Sequence, residues 1–174
     1  ADIRTIIVRQ ERVGLHMADA VSRLSSGDDI GVFVMQHGPG AENAFGGVAQ
    51  AYRESVPIMV MPAGYTRRLA HYYPNFNSTL HMQHITKSAE PISMGKAVPE
   101  VMRRAFWQLR NGRGGPALVE VPLDVFREDV GELNYVPSYK TRRGPDPEAV
   151  TSVASVLASA ERPVIYAGQG VHYA

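Results

Sequence analysis

The chain has no cysteine among its 174 residues, which excludes a disulfide framework, a thiolate nucleophile and any cysteine-built zinc site. It also lacks an excess of either charge: 18 Lys and Arg stand against 17 Asp and Glu, a net +1. That balance gives no electrostatic reason to expect nucleic acid or an anionic membrane as partner. No apolar run approaches the roughly 20 residues needed to span a bilayer. The apolar part of "ADIRTIIVRQE" is too short for a signal peptide, and the residues after it are too charged. A cytoplasmic protein is the expectation. His71, His81 and His84 share one irregular stretch, but no H-E-x-x-H or comparable spacing occurs, so no metal site is expected on this chain.

What is present is an ordinary globular composition, 44% hydrophobic and 20% charged, sufficient for a real core. Short β-branched segments alternate with helical patterns. Ile3–Val8 ("IRTIIV") reads as a buried strand. From Val13 the apolar residues Val13, Met17, Ala20, Val21 and Leu24 recur at helical spacing, and "SSGDD" closes that helix with Gly27 in a polar turn. Ile30–Met35 is a second strand. Ala44, Phe45, Val48, Ala49 and Tyr52 line a second helix, and Val56–Gly64 is a third strand. An irregular stretch from Tyr65 to Lys87 follows. Val98, Val101, Met102, Ala105, Phe106 and Leu109 then resume the helical period, and Ala117–Val121 is a fourth strand. Strand–helix repetition with near-continuous apolar strands predicts an α/β fold: a parallel sheet with helices on both faces, three layers α/β/α.

Residues 1–128 are read as this domain. Residues 129–145 have neither period, are rich in charge, Pro and Gly, and read as a linker whose basic cluster "SYKTRRG" is most simply a solvated one. Asp146 and Pro147 suit a helix start, with Val150, Val153, Val156, Leu157 and Ala160 as its apolar stripe and "PVIYAGQG" as a following strand. One αβ unit cannot bury its own faces, so residues 146–174 are expected to open a second domain.

Ligands of open parallel sheets bind beyond the carboxyl ends of the strands. That rule singles out Arg9–Glu11, Gln36–Gly40, Gly64–Tyr65 and Pro122–Asp124. Glu11 falls where a helix begins, and a carboxylate is favoured there by the helix dipole. By position alone it is more often a plain first-turn acid than a chemical group. The loop "QHGPGAENAFGG" runs from a strand into a helix but is not a phosphate cradle. No Lys follows its glycines, the dinucleotide spacing G-x-G-x-x-G fails, and Pro39 removes an N–H where a phosphate wants one. Glu42 would repel a diphosphate. Gly38-Pro39-Gly40 is either a tight turn with no ligand or a place where backbone closely approaches something uncharged or flat. His37 is aimed by its loop position at any ligand held there, though a structural histidine is the commoner outcome.

Taken in order, four blocks resemble the pyrimidine-binding domain of thiamine-diphosphate-dependent enzymes of the acetolactate synthase type. "VRQERVGLHMADAVSRLS" is similar to the family's strand-then-Glu segment. "GVFVMQHGPGAENAFGGVAQAYRESVPIMVMPAG" is similar to its GPG-x-x-N loop, helix and next strand. "HITKSAE" resembles its TK segment, and "RNGRGGPALVEVPLDVFRED" its GRPGPV-type strand. "ERPVIYAGQGV" is similar to the first strand of the family's central domain. The likeness covers nearly the whole chain. It implies that Glu11 hydrogen-bonds N1′ of the aminopyrimidine ring of thiamine diphosphate and promotes loss of the thiazolium C2 proton. Gly38, Pro39, Gly40 and Asn43 would be cofactor-facing, with Asn43 bracing the turn and His37 and Tyr73 on the substrate side. The substrate would be a small-molecule 2-oxo acid or related carbonyl compound, and the reaction carboligation or decarboxylation. Gln10 stands where the family usually has His, and Tyr73-Pro74 falls near the family's Phe-Gln. The resemblance also implies that diphosphate and Mg2+ are held by a separate domain with a GDG…NN motif from a partner subunit, hence a homo-oligomer, with this chain inactive alone. The competing expectation is a non-catalytic α/β interaction module that kept the fold.

Overall fold

A computed structural model describes residues 3–141 and 144–173; Arg142 and Arg143 of the basic cluster lie outside the described residues. In chain order the regular elements are α1 (Glu11–Leu24), β1 (Gly31–Met35), α2 (Pro39–Arg53), β2 (Ile58–Gly64), α3 (Ser78–Met82), β3 (Ser88–Pro91), α4 (Val98–Arg110), β4 (Ala117–Pro122) and α5 (Pro147–Ser159). The four strands form one sheet in the order β1-β2-β4-β3, parallel at every pairing. Alternate residues along each strand face opposite layers. On one side Ile58, Val60 and Leu118 pack with Leu15 of α1, Ala44 and Val48 of α2 and Met82 of α3. On the other side Met59, Ala117, Val119 and Val121 pack with Val101, Ala105 and Leu109 of α4. The chain therefore has the expected three-layer α/β/α architecture, with a core on each face of the sheet.

Glycine sets how closely α1 approaches β1. A Cβ on Gly31 would lie 1.9 Å from the Ala18 carbonyl oxygen, and one on Gly14 would lie 2.2 Å from the Phe33 ring. Ser22 of α1, fully buried, completes the contact: its hydroxyl donates to the Pro57 carbonyl (2.6 Å) and accepts from the Gly31 amide (2.9 Å). One side chain thus ties the starts of two strands to a helix.

Several sequence expectations are corrected. Ile3–Val8 is not a strand; Ile3, Ile6 and Ile7 are exposed, because the segment makes no ladder with the edge strand β1. Pro163–Gly170 is not a strand either, and Gln169–Tyr173 is a short 3-10 turn. The sheet's fourth member is instead β3, a short polar strand inside the TK block. In α1 the buried side is Gly14, Leu15, Ala18, Asp19 and Ser22, whereas the helically spaced Val13, Met17, Ala20, Val21 and Leu24 are exposed. The small residues face the sheet because the close approach at Gly31 leaves no room for larger ones.

After β4 the chain passes irregularly over α4. Buried Asn111 holds it there, donating to the Trp107 and Tyr139 carbonyls (3.0 Å each) and accepting from the Thr141 amide (2.7 Å). In α5 the Asp146 carboxylate caps the Glu148 amide (3.2 Å) with Pro147 at the first turn, as the sequence predicts. No residue of α5 is buried.

Candidate functional site

Glu11 is the first residue of α1, and its half-buried carboxylate reaches the N-terminus of α2, just past the carboxyl end of β1. The Asn43 side-chain amide donates to Glu11 Oε2 at 2.5 Å. The other carboxylate oxygen, Oε1, faces Gly40: a Cβ there would stand 3.5 Å from it and 3.0 Å from Gln36 Cβ. Two helix N-termini, those of α1 and α2, meet at this carboxylate. The α2 start is shaped by Gly38, which takes φ +58° as the N-cap, while Pro39 occupies the first turn, where a missing N–H costs nothing.

The neighbouring loop ends complete the wall. A Cβ on Gly38 would lie 2.7 Å from the Tyr65 hydroxyl, and the Tyr65 and His37 rings meet edge-on with centroids 4.6 Å apart. Tyr65, directly after β2, was marked in the sequence only by its strand-end position; its contact with Gly38 has no local signal. Arg67 fastens this loop to the one after β4, through Asp124 (2.7 Å from Nε, 3.0 Å from its backbone N–H) and Glu128 (2.6 Å). The Arg67 guanidinium holds the Asp124 carboxyl below its ordinary range. Thus Glu11, Gly38, Pro39, Gly40 and Asn43 form one cluster with His37 at its rim. Tyr73 stands 91% exposed in the loop before α3, with no side-chain hydrogen bond or ring pairing to that cluster among the described residues.

Glu120 is a second acid at this end of the sheet, 5% exposed on β4. It lies beneath Gly64, whose Cβ would fall 2.8 Å from its Oε1, and faces the start of α3. Burial raises its carboxyl above the usual range; hydrogen bonding from the Thr79 and Ser78 amides and the Ser78 hydroxyl only partly opposes this.

The residues of this cluster carry no phosphate-binding Lys. Gly38 and Gly40 are buried, under the Tyr65 hydroxyl and beside the second Glu11 carboxylate oxygen, and the acid in the first turn of α2 is Glu42. A carboxylate with one oxygen left unpaired is the acceptor that a planar nitrogen heterocycle meets with an in-plane hydrogen bond.

Residues 1–90 match the family model of the thiamine pyrophosphate enzyme N-terminal TPP binding domain, and the chain belongs to that family. It is similar to the acetolactate synthase large subunit of Buchnera aphidicola subsp. Acyrthosiphon pisum, 32% identical over 97% of this chain and 31% of that protein. It is also similar to the acetolactate synthase isozyme 3 large subunit of Escherichia coli K12, 29% identical over 95% of this chain and 30% of that protein. Among solved structures it shares its fold with benzoylformate decarboxylase from Polynucleobacter necessarius, with a TM-score of 0.75 at 23% identity, over 89% of this chain and 29% of that one. A thiamin diphosphate-dependent enzyme, described as putative, from Mycobacterium smegmatis superposes with a TM-score of 0.76 at 25% identity, over 89% and 30% of the two chains. The chain spans about 30% of the length of these curated relatives.

Proposed function

We propose that this chain is the pyrimidine-binding part of a thiamine-diphosphate-dependent enzyme that acts on 2-oxo acids, as an acetolactate synthase-like carboligase (a transferase) or a decarboxylase (a lyase). The observation that carries this reading is the Glu11 carboxylate, held between two helix N-termini with Oε2 engaged by Asn43 and Oε1 open beside Gly40.

Glu11 would meet N1′ of the aminopyrimidine and hold or release the proton there. Asn43 would be the positioning residue that fixes the carboxylate rotamer. Gly38, Pro39 and Gly40 would admit the ring to the backbone, and His37 with Tyr65 would border the carbonyl substrate; Tyr73 remains a more distant substrate candidate. When bound, the cofactor supplies the electron sink for carbon–carbon bond making or breaking. The diphosphate and Mg2+ would be held by another domain, from a partner subunit of a homo-oligomer working in the cytoplasm. The exposed stripe Val13, Met17, Val21 and Leu24 supports such an assembly. Residues 1–128 would form the pyrimidine domain, 129–145 the linker and 146–174 the start of a central domain.

Calorimetry of thiamine diphosphate with Mg2+ tests the division of labour. The 174-residue chain alone should give no measurable heat at millimolar cofactor, while the same sequence within a polypeptide that also carries a diphosphate-binding domain should bind tightly. Tight binding by the chain alone would contradict the proposal.

A further inference from the structure

A recess of this molecule lies away from Glu11. A cavity of about 470 Å³ opens at the opposite end of the sheet, where α2 and α4 end and the turn before β4 begins. Glu11 and this cavity lie at the two ends of the 15-residue α2, about 22 Å apart at the helical rise of 1.5 Å per residue. The cavity falls in the size range of small-molecule sites, roughly 300–1,000 Å³.

Its lining combines three cations with two aromatic rings: Lys87, Arg53 and Arg113 with Trp107 and Tyr52. No carboxylate lines it among the described residues, and none of the three cations has an ion-pair partner there. Glu54, the acid next to Arg53, turns away to Arg23 (3.9 Å). Arg113 is steadied by its Nε–H donating to the Ser55 hydroxyl (2.8 Å), which leaves the rest of its guanidinium unengaged. Lys87 donates to the Gln108 carbonyl and to the Asn111 carbonyl (2.7 Å), closing the end of α4 and keeping one N–H in reserve. With no acid beside it, burial holds the Lys87 ammonium below the usual lysine value. Three like charges around one recess repel one another until an anion enters, and indole and phenol faces suit a flat ring.

We infer that this cavity is a second ligand site, separate from the Glu11 cluster, for a small molecule combining one flat aromatic ring with one carboxylate or phosphate group. Arg53 and Arg113 take the anion, Lys87 adds a charge-assisted hydrogen bond, and Trp107 stacks on the ring.

Trp107, the one tryptophan of the chain and 45% exposed, reports occupancy by its own fluorescence. The chain is titrated separately with AMP, benzoate and inorganic phosphate, as wild type and as the Arg53→Ala/Arg113→Ala double variant. Both arginines are exposed, so the fold should survive their loss. The expected result is saturable quenching by AMP or by benzoate, the responding probe identifying the anion, with affinity falling about tenfold or more in the double variant. Three results would each overturn the proposal: no saturable change with either ring-bearing probe, equal affinity in the double variant, or inorganic phosphate binding as tightly as the ring-bearing probes.

Discussion

Glu120 shows at a single residue how the carboxyl end of the sheet is held under electrostatic tension. Its carboxyl is almost completely removed from solvent, and burial lifts its pKa above the usual carboxylate range despite the donors at the start of α3. A carboxyl whose folded pKa exceeds its unfolded one binds more protons in the folded state. Stability therefore falls as pH rises from the unfolded value through the folded one. Glu120→Gln, which resembles the protonated form, should be more stable than the parent in urea unfolding at pH 7, and that advantage should shrink toward pH 4. An advantage that is constant with pH would assign the effect to packing instead. At this scale Glu11 was marked by the resemblance of its segment, whereas the strand expected before it, Ile3–Val8, does not form. The Asn43 contact that orients it was not legible, because it joins residues 32 apart in sequence.

The elements follow their local patterns where tertiary contact agrees with them and depart where it does not. The α4 stripe Val101, Ala105 and Leu109 is buried as its period predicts. In α1 the apolar stripe is real but faces outward, because periodicity identifies a face without saying which partner covers it. β3, four residues of Ser-Ala-Glu-Pro, carries no apolar signal; only its pairing with β4 makes it a strand. Ile3–Val8 is the converse, a strong β-pattern without a ladder. Gly46 and Gly47 of α2 have two different surroundings. A Cβ on Gly47 would meet Leu15 at 3.0 Å, whereas one on Gly46 would meet nothing within 4 Å. Gly46→Ala should therefore raise the stability of the chain by about 0.5–1 kcal/mol through helix propensity. Gly31→Ala, which drives a methyl group into the Ala18 carbonyl, should cost about 1–3 kcal/mol or more. Urea midpoints of the two variants on either side of the parent would bear this out; equal destabilisation would mean that α2 packs differently.

As a whole molecule the chain offers two ends with different chemistry. The carboxyl end of the sheet gathers Glu11, Asn43 and the Gly-Pro-Gly turn, and the other end gathers three cations, without ion-pair partners among the described residues, and two rings. The parallel three-layer fold was legible because buried parallel strands write themselves as apolar runs. The second end was not, since Arg53, Lys87, Trp107 and Arg113 meet only through the sheet's topology. The central claim is that Glu11 governs proton traffic at the aminopyrimidine. It is tested most directly by NMR of hydrogen–deuterium exchange at the thiazolium C2 of thiamine diphosphate bound to the cofactor-loaded enzyme, comparing Glu11→Gln with wild type at equal occupancy. General acid–base catalysis contributes about 10²- to 10⁴-fold, and the variant's exchange should slow by a factor in that range. Exchange at the wild-type rate would contradict the account and leave the non-catalytic module as the better reading.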